Sequence, residues 1–318
     1  MLDAATDRVL YACRPDDRSL IASTTKIMTG LLVAEQCNPE DRVSVPKEAV
    51  GTEGSSLYLK EGEVLTVRTL LYGLMLHSGN DAAVTLAMYC AGSVPAFVEQ
   101  MNRRARELGL TNTHFANPHG LDAEDHYSTA RDLARLAACA MDNPLLRQVV
   151  STRSVTLEGR SLTNHNKLLW RYDGAVGVKT GYTKSAGRIL VSAAERDGRR
   201  LIAVTIHDPN DWKDHARLLD YGFSAYAFRT LFAGGQVLGS VPVIGGAESR
   251  ADVVALENLE YPLAEQEQAI LRLNLPEFVY APVLAGDRAG TVSVLVDGAE
   301  LACVPVYWRY SVWEEAEP

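Results

Sequence analysis

Several familiar chemical signatures are missing from this chain of 318 residues. It contains five cysteines and no CxxC pair, which argues against a zinc ribbon and against a dense disulfide framework. Cys90 and Cys139 lie in apolar, helix-like runs and are interpreted as small buried hydrophobic residues. No HExxH motif occurs, so the histidines at positions 114, 119 and 126 are better explained by loop packing and hydrogen bonding than by a metal site. The absence of GxSxG argues against a serine on the elbow of an α/β-hydrolase.

The chain also lacks a long apolar run and an excess of positive charge. No stretch of about 18 apolar residues occurs, so no segment is expected to span a bilayer, and no signal peptide is visible at the N-terminus. The formal net charge is −9. Because phosphate binding needs a basic face, we do not expect a nucleic-acid partner.

The periodicity of the sequence changes twice, which predicts two domains. Helical patterns cover residues 24–36, 66–76, 81–91, 95–109 and 129–142, and another helix is expected near 211–227. Strand patterns cover 174–181, 187–194 and 200–207, with Asp197-Gly198 predicting a hairpin between the last two. This order predicts an α+β domain over residues 1–232, in which an antiparallel sheet packs with helices. Residues 233–318 have short alternating runs and predict a small all-β domain.

Three short motifs carry the candidate chemistry. They are Ser23-Thr24-Thr25-Lys26, Ser78-Gly79-Asn80 and Lys179-Thr180-Gly181. The i, i+3 spacing puts Ser23 and Lys26 side by side on a helix. A serine hydroxyl is a poor nucleophile until a base takes its proton, and a lysine becomes such a base when burial and a second nearby cation lower its pKa. Each motif is weak alone, but the three together indicate a serine nucleophile with a lysine base.

The same motifs resemble those of the penicillin-binding, low-molecular-mass D-alanyl-D-alanine carboxypeptidases. The similarity extends to ASTTKIMTG at 22–30, HSGNDAA at 77–83, NTHFANPHGLD at 112–122, YSTARDL at 127–133 and GVKTGYT at 177–183. The resemblance implies a catalytic domain of the β-lactamase and transpeptidase type, followed by the β-rich second domain of that family. It implies a hydrolase that removes the terminal D-alanine from peptidoglycan stem peptides through an acyl-serine, without a metal or organic cofactor.

The resemblance also implies roles for the catalytic residues. Ser23 would attack the carbonyl between the two D-alanines, and Lys26 would accept its proton. Ser78 would relay a proton to the leaving amine, and Asn80 would hold the substrate amide. The oxyanion hole would use the backbone N–H groups of Ser23 and Tyr182.

The remaining substrate-binding residues come from the third motif and its continuation. Lys179 would polarise the site, while Thr180 and Thr183 would bind the terminal carboxylate of the peptide. Gly181 and Tyr182 complete this binding strand. Some relatives carry an arginine where this chain has His165, so the resemblance assigns no carboxylate-binding role to that position.

Two alternatives stay open at this point. A class A β-lactamase needs a glutamate that is followed four residues later by an asparagine, whereas the closest candidate here, Glu107, is followed by Thr111. A non-catalytic sensor of cell-wall peptides or β-lactams would keep the pocket without turnover. The expected partners are the stem peptide and β-lactam antibiotics, which would inhibit the enzyme covalently. The resemblance places the protein in the bacterial cell envelope or secreted, and it leaves open a membrane anchor outside the printed sequence.

Overall fold

Residues 1–315 are described by a computed structural model, which divides the chain into two units, Met1–Phe223 and Ser224–Pro318. Residues 316–318, the end of the predicted all-β domain, lie outside the described part. The division falls earlier than the 232/233 boundary expected from the sequence. The reason is that the strand Tyr226–Phe232 pairs with Leu259–Ala264, so both belong to the second unit.

Helices form most of the first unit. They are α1 (Lys26–Gln36), α2 (Val67–Leu76), α3 (Asn80–Ala91), α4 (Val94–Glu107), α5 (Ala130–Asp142), α6 (Pro144–Ser151), α7 (Leu168–Arg171) and α8 (Asp211–Ala225). Side chains cap several helix starts: those of Thr66, Ser93, Thr129 and Asn143 each accept a backbone N–H bond from three residues further on. The helices predicted from periodicity are confirmed, whereas α6 and α7 were not predicted.

A four-stranded antiparallel sheet supports these helices. The strands of the first unit are β1 (Leu2–Asp3), β2 (Arg42–Ser44), β3 (Val64–Thr66), β4 (Ser154–Leu157), β5 (Arg160–Thr163), β6 (Ala175–Thr183), β7 (Gly187–Arg196) and β8 (Arg199–Ile206). The sheet has the order β1-β8-β7-β6, and β2–β3 and β4–β5 form separate pairs. Asp197 and Gly198 both have positive φ, at 50° and 77°, as the predicted two-residue turn between β7 and β8 requires. The α+β prediction is confirmed.

Helix α1 lies in the middle of the core of the first unit. Every residue from Lys26 to Val33 is buried, and the helix packs with α2, α3, α5 and α6. Its sequence predicts this position, because apolar residues occur on most of its sides. Within residues 1–315 no single helix is both long and apolar enough to cross a membrane. Only α3 and α4 together, which are bent by 84° at their junction, satisfy that criterion.

One cysteine interpretation is wrong. Cys90 is joined to Cys37 in a disulfide, although the two lie 53 positions apart in the sequence. Cys37 directly follows α1 and Cys90 lies near the end of α3, and packing of the two helices brings their Cα atoms to 6.7 Å. No spacing rule connects such distant cysteines, so only the tertiary fold shows the pair. Cys139 is half-buried and free.

Over residues 226–315 the regular elements of the second unit are all strands, as predicted. They are β9 (Tyr226–Phe232), β10 (Val237–Ile244), β11 (Arg250–Val254), β12 (Leu259–Ala264), β13 (Ala269–Asn274), β14 (Val279–Tyr280), β15 (Arg288–Val296) and β16 (Ala299–Trp308). Six of them form a sheet in the order β13-β15-β16-β11-β10-β14, while β9 and β12 pair separately. Phe232, Val241, Val253, Val292 and Val306 are at the centre of its core.

A buried histidine connects α8 to the sheet of the first unit. The ring nitrogens of His215 lie 2.6 Å from the Ser192 hydroxyl on β7 and 3.0 Å from the Thr205 hydroxyl on β8. Its side chain has no solvent exposure, and burial lowers its pKa to about 3. The fold therefore favours the neutral ring.

This burial predicts a pH dependence of stability. The unfolded chain binds a proton at His215 below about pH 6.5, whereas the folded chain resists protonation until the pH is near 3. His215 therefore makes its full contribution to the free energy of unfolding above pH 6.5. This contribution decreases as the pH falls toward 3, and at pH 4 it is smaller by about 3 kcal/mol. Denaturant unfolding of the parent and of His215→Gln, measured at pH 7 and pH 4, should show a smaller pH effect in the variant. Equal pH effects in the parent and in His215→Gln would contradict the prediction.

Candidate active site

Ser23 lies in a tight turn immediately before the central helix. Residues Ala22–Thr25 form one turn of 3-10 helix, and α1 begins at Lys26. The Thr24 hydroxyl donates to the carbonyl of Ile21, and the Thr25 hydroxyl donates to the carbonyl of Ala22 at 2.8 Å. Ala22 has a φ of 45°, a left-handed conformation that is uncommon for a residue with a side chain. The expected contact across one turn is present, with Lys26 Nζ 3.0 Å from Ser23 Oγ.

The Lys26 amine is fully buried and touches three oxygens. Besides Ser23 Oγ, its Nζ lies 2.6 Å from Asn80 Oδ1 and 2.6 Å from the carbonyl oxygen of His119. Burial and, to a smaller extent, the charge of Lys179 lower the pKa of Lys26 well below its ordinary value. This environment therefore favours the neutral amine over the ammonium ion.

The geometry also determines where the lone pair of the neutral amine points. A neutral amine has two N–H bonds and one lone pair. The carbonyl oxygens of Asn80 and His119 can only accept hydrogen bonds, so they take both N–H bonds. The third partner is a hydroxyl, which can donate. The lone pair of Lys26 is therefore directed at the proton of Ser23.

The second motif is held by neighbouring backbone and by its own aspartate. Asn80 Nδ2 donates to the carbonyl of Glu53, which turns Oδ1 toward Lys26. The Asp81 carboxylate accepts hydrogen bonds from the Ser56 hydroxyl and from the backbone N–H groups of Leu57 and Leu59. These bonds fix the loop that precedes β3 against the start of α3. Ser78 comes just before that helix, with a φ of 65°, and is almost fully buried.

The third motif lies on β6, at the edge of the sheet. Lys179 is buried, which lowers its pKa to about 7, and its Nζ donates to the carbonyl of Thr180 at 2.9 Å. Gly181 passes close to the serine turn, since a Cβ at this position would lie 3.2 Å from the carbonyl oxygen of Ile21. The Thr183 hydroxyl donates to Asp122 Oδ1 at 2.9 Å. Thr183 is therefore engaged with a loop carboxylate in this structure.

A cavity of about 330 Å³ opens at Ser23. It is lined by Ser23, Ser55, Ser78, His165, Lys167, Thr180, Gly181, Tyr182, Arg188, Ile189, Asp211 and Trp212. Five of the nine predicted site residues are thus at its surface. Lys26, Asn80 and Lys179 are buried beside it, and Thr183 is not among the lining residues. A larger cavity of about 1010 Å³ adjoins β8 and α8 but contains none of the predicted residues. We assign the candidate site to the smaller cavity because Ser23, whose Oγ lies 3.0 Å from the buried Lys26 amine, is at its surface.

Three further residues that line this cavity, Arg188, Asp211 and Trp212, were not indicated by the sequence. Arg188 Nη2 lies 2.7 and 2.8 Å from the two carboxylate oxygens of Asp211, and the guanidinium lies 5.6 Å from the centre of the Trp212 ring. Arg188 is opposite Tyr182 in the β6–β7 register, which only the pairing of the strands reveals. His165 also lines the cavity, and burial together with the charge of Lys179 lowers its pKa to about 4.

A buried histidine, His126, also contacts the serine turn. Ala116 N–H donates to Nδ1 of His126 at 3.0 Å, so the ring proton is on Nε2, which lies 2.7 Å from the Thr25 hydroxyl. His126 thus has the hydrogen-bonding role in a loop that the sequence suggested. Gly120, in the same loop, has a φ of 93°, and a Cβ there would lie 1.9 Å from the carbonyl oxygen of Ala22.

A serine hydroxyl within hydrogen-bond distance of a buried lysine amine, in a turn just before a buried helix, is an arrangement typical of serine hydrolases that act by acyl transfer. Comparison with known families agrees. The family model described as D-alanyl-D-alanine carboxypeptidase matches residues 1–210. The model described as penicillin-binding protein 5, C-terminal domain, matches residues 226–313.

Curated proteins and solved structures give the same result. D-alanyl-D-alanine carboxypeptidase DacF of Bacillus subtilis is 33% identical over 96% of this chain and 83% of its own length. DacD of Escherichia coli is 34% identical over 99% of this chain and 86% of its own length. The crystal structure of penicillin binding protein 5 from Haemophilus influenzae superposes with a TM-score of 0.86 at 30% identity, covering 98% of this chain and 96% of that one.

The chain therefore belongs to the D-alanyl-D-alanine carboxypeptidase family, and it is a serine-type D-alanyl-D-alanine carboxypeptidase with a penicillin-binding protein 5 type second domain. The expectations of family, fold class and enzymatic activity are confirmed. The family match favours the carboxypeptidase over the two alternatives that the sequence left open.

The close packing of Gly120 leads to a prediction. Gly120→Ala should displace Ala22 and with it the serine turn, so the rate of acylation by penicillin and the melting temperature should both fall. Gly51→Ala is a matched control, because Gly51 also has a positive φ, at 75°, but a Cβ added there would meet no atom within 4 Å. Backbone strain is thus common to both variants, whereas only Gly120→Ala introduces a clash with Ala22. If both variants acylate at the same rate, the packing at Ala22 does not position the nucleophile.

Proposed function

We propose that Ser23 is the nucleophile and Lys26 the base in the removal of the terminal D-alanine from peptidoglycan stem peptides. The observation that carries this proposal is the set of three oxygens around Lys26 Nζ. Two of these oxygens can only accept, so the lone pair of the neutral amine faces the Ser23 hydroxyl. A lysine in a merely structural role would instead be expected to face a carboxylate.

The first step is acyl transfer to the enzyme. As Lys26 takes the proton from Ser23, Oγ forms a bond to the carbonyl carbon between the two D-alanines, and the C–N bond then breaks. Backbone N–H groups of Ser23 and Tyr182 are the proposed donors to the oxyanion. The leaving D-alanine needs a proton on its nitrogen. We propose that Ser78, which lines the same cavity, gives its proton to this nitrogen and regains one from the protonated Lys26, so that Lys26 is neutral again before the second step.

The second step is hydrolysis of the acyl-serine. A water molecule gives a proton to the base, its oxygen bonds to the acyl carbon, and the bond to Ser23 Oγ breaks with return of the proton to the serine. Lys26 can act in both steps because its N–H bonds to Asn80 and His119 fix its orientation. A β-lactam would acylate Ser23 by the same first step, with its ring nitrogen as the leaving group.

Recognition of the terminal carboxylate is assigned to β6. Lys179 and Thr180 lie beside the cavity, and a charged acceptor there gains charge-assisted hydrogen bonds. With a pKa of about 7, Lys179 is partly protonated at neutral pH before a carboxylate arrives, and the anion would stabilise its charged form. Gly181 and Tyr182 border the path of the substrate. Thr183 joins this contact only when its bond to Asp122 is released.

The substrate determines the place of action. Peptidoglycan stem peptides are outside the cytoplasmic membrane, so we propose that the protein acts in the cell envelope of a bacterium or is secreted, with a role in the cell wall and in cell shape. Its partners would be stem peptides ending in D-Ala-D-Ala and β-lactam antibiotics.

The proposed nucleophile is tested by Ser23→Ala. This variant should neither release D-alanine from a pentapeptide nor gain the mass of penicillin, because no other group can form the acyl-enzyme. Intact-mass spectrometry and peptide mapping of the parent should locate the adduct on Ser23. The exposed Ser161→Ala on β5 is the control and should retain both activities. An adduct on another residue would refute the mechanism.

The proposed base is tested by Lys26→Arg. Arginine keeps a positive charge but does not become neutral near pH 7, so the variant should acylate at least about a hundredfold more slowly. The measurement is the rate of penicillin adduct formation, with circular dichroism to verify folding. Lys60→Arg, at an exposed position in the same unit, should leave the rate unchanged. Acylation of the folded Lys26→Arg protein at the parent rate would show that Lys26 is not the base.

A further inference from the structure

Tyr58 combines a strained backbone with an exposed aromatic ring. Its φ is 56°, and 83% of its surface is exposed, the largest exposure among the large hydrophobic residues of residues 1–315. In that part of the chain, no hydrogen bond or ring contact is found for its side chain. A left-handed conformation is a clear outlier for a bulky residue.

The backbone around Tyr58 is firmly held. The N–H groups of Leu57 and Leu59 donate to the two oxygens of Asp81 at 3.0 and 3.1 Å, and the Tyr58 N–H donates to the Ser56 hydroxyl at 2.9 Å. Leu57 and Leu59 are both buried. The two leucines point inward with their N–H groups directed at one carboxylate, and this arrangement forces Tyr58 outward in its left-handed conformation.

Stability does not explain a tyrosine at this position. The left-handed conformation costs a residue with a Cβ about 1–2 kcal/mol, whereas glycine, and to a lesser extent asparagine, adopt it readily. An exposed ring recovers little of this free energy by burial. Strain of this kind, retained by a rigid surrounding, is typical of binding and catalytic sites.

The loop that carries Tyr58 also forms part of the cavity. Ser55 lines the cavity, and its carbonyl accepts the backbone N–H of Asn80 at 2.7 Å. Three residues span at most about 10 Å, so the Tyr58 Cα lies within about 10 Å of the Cα of Ser55 at the cavity wall. A peptide bound in the cavity that continues past Ser55 in the direction of Tyr58 would reach this residue.

We propose that Tyr58 is a binding residue for the part of the stem peptide that precedes the two D-alanines. This inference rests on the proposed function, since it concerns a remote part of the same substrate. The flat ring offers contact area to peptide planes and aliphatic side chains, with little loss of conformational freedom on binding. We choose the peptide over the glycan because its residues are those within reach of the cavity.

The test compares two substrates that share the scissile bond. One is N-acetyl-D-Ala-D-Ala, and the other is a sugar-free pentapeptide ending in D-Ala-D-Ala. Tyr58→Asn should lower kcat/KM for the pentapeptide by about three- to tenfold, through KM, and leave the acetylated dipeptide unchanged. Tyr58→Phe should retain the parent ratio of kcat/KM for the two substrates because the ring is kept.

The backbone strain gives a second measurement. The melting temperature of Tyr58→Asn should rise by about 2–4 °C as the strain is relieved, with Tyr58→Gly as a second variant.

Arg14→Asn is the matched control. Arg14 is exposed and has a φ of 50°, so the same backbone relief occurs at a position that does not line the cavity, and the substrate ratio should not change. An unchanged ratio in Tyr58→Asn, or an equal loss on both substrates, would overturn the proposal. A loss seen only with glycan-linked peptide would also overturn it in favour of the sugar. Failure of the parent to release D-alanine from either peptide would instead contradict the proposed function.

Discussion

The serine turn is confined between two glycines, and the rest of the site depends on this confinement. On one side Gly181 brings β6 against Ile21 and Ala22, and on the other Gly120 brings its loop against the carbonyl of Ala22. A Cβ at Gly120 would overlap the backbone of Ala22, at 1.9 Å from its carbonyl oxygen, whereas a Cβ at Gly181 would make a tight contact of 3.2 Å with the carbonyl oxygen of Ile21. The left-handed conformation of Ala22 is maintained by this packing, and it starts α1 with Ser23 at the surface of the cavity and Lys26 buried beside it.

Backbone carbonyls, rather than charged side chains, orient the buried polar groups of the site. His119 and Glu53 supply carbonyl oxygens to Lys26 and Asn80, respectively. A backbone oxygen is fixed by the fold and does not change its protonation near neutral pH. A carboxylate in the same place would attract the proton to Lys26 and raise its pKa. The arrangement therefore provides good hydrogen-bond partners without stabilising the charged form of the amine.

Much of this architecture could be predicted from the sequence, because its main elements have strong local signals. The period of 3.6 residues marked α1 to α5, and the Asp197-Gly198 turn marked the β7–β8 hairpin. The hairpin β4–β5 and the short helices α6 and α7 are too short or too polar to give a periodic signal. The contact of Ser23 with Lys26 could be predicted from helical spacing, but the other hydrogen-bond partners of Lys26 could not. The His119 carbonyl, the Arg188–Asp211 pair and the Cys37–Cys90 disulfide depend on tertiary packing and register, which no local pattern encodes.

That disulfide has a mechanical consequence. Helices α1 and α3 begin at Lys26 and Asn80 and end beside Cys37 and Cys90, so they are attached to each other at both ends. One attachment is the hydrogen bond between the Lys26 amine and the Asn80 amide, and the other is covalent. An eleven-residue helix is about 16 Å long, so the two attachments are separated by roughly this length along the helices. Two helices fixed at both ends can neither slide along nor pivot about each other, and the covalent end thereby limits how far the lysine and the asparagine can separate.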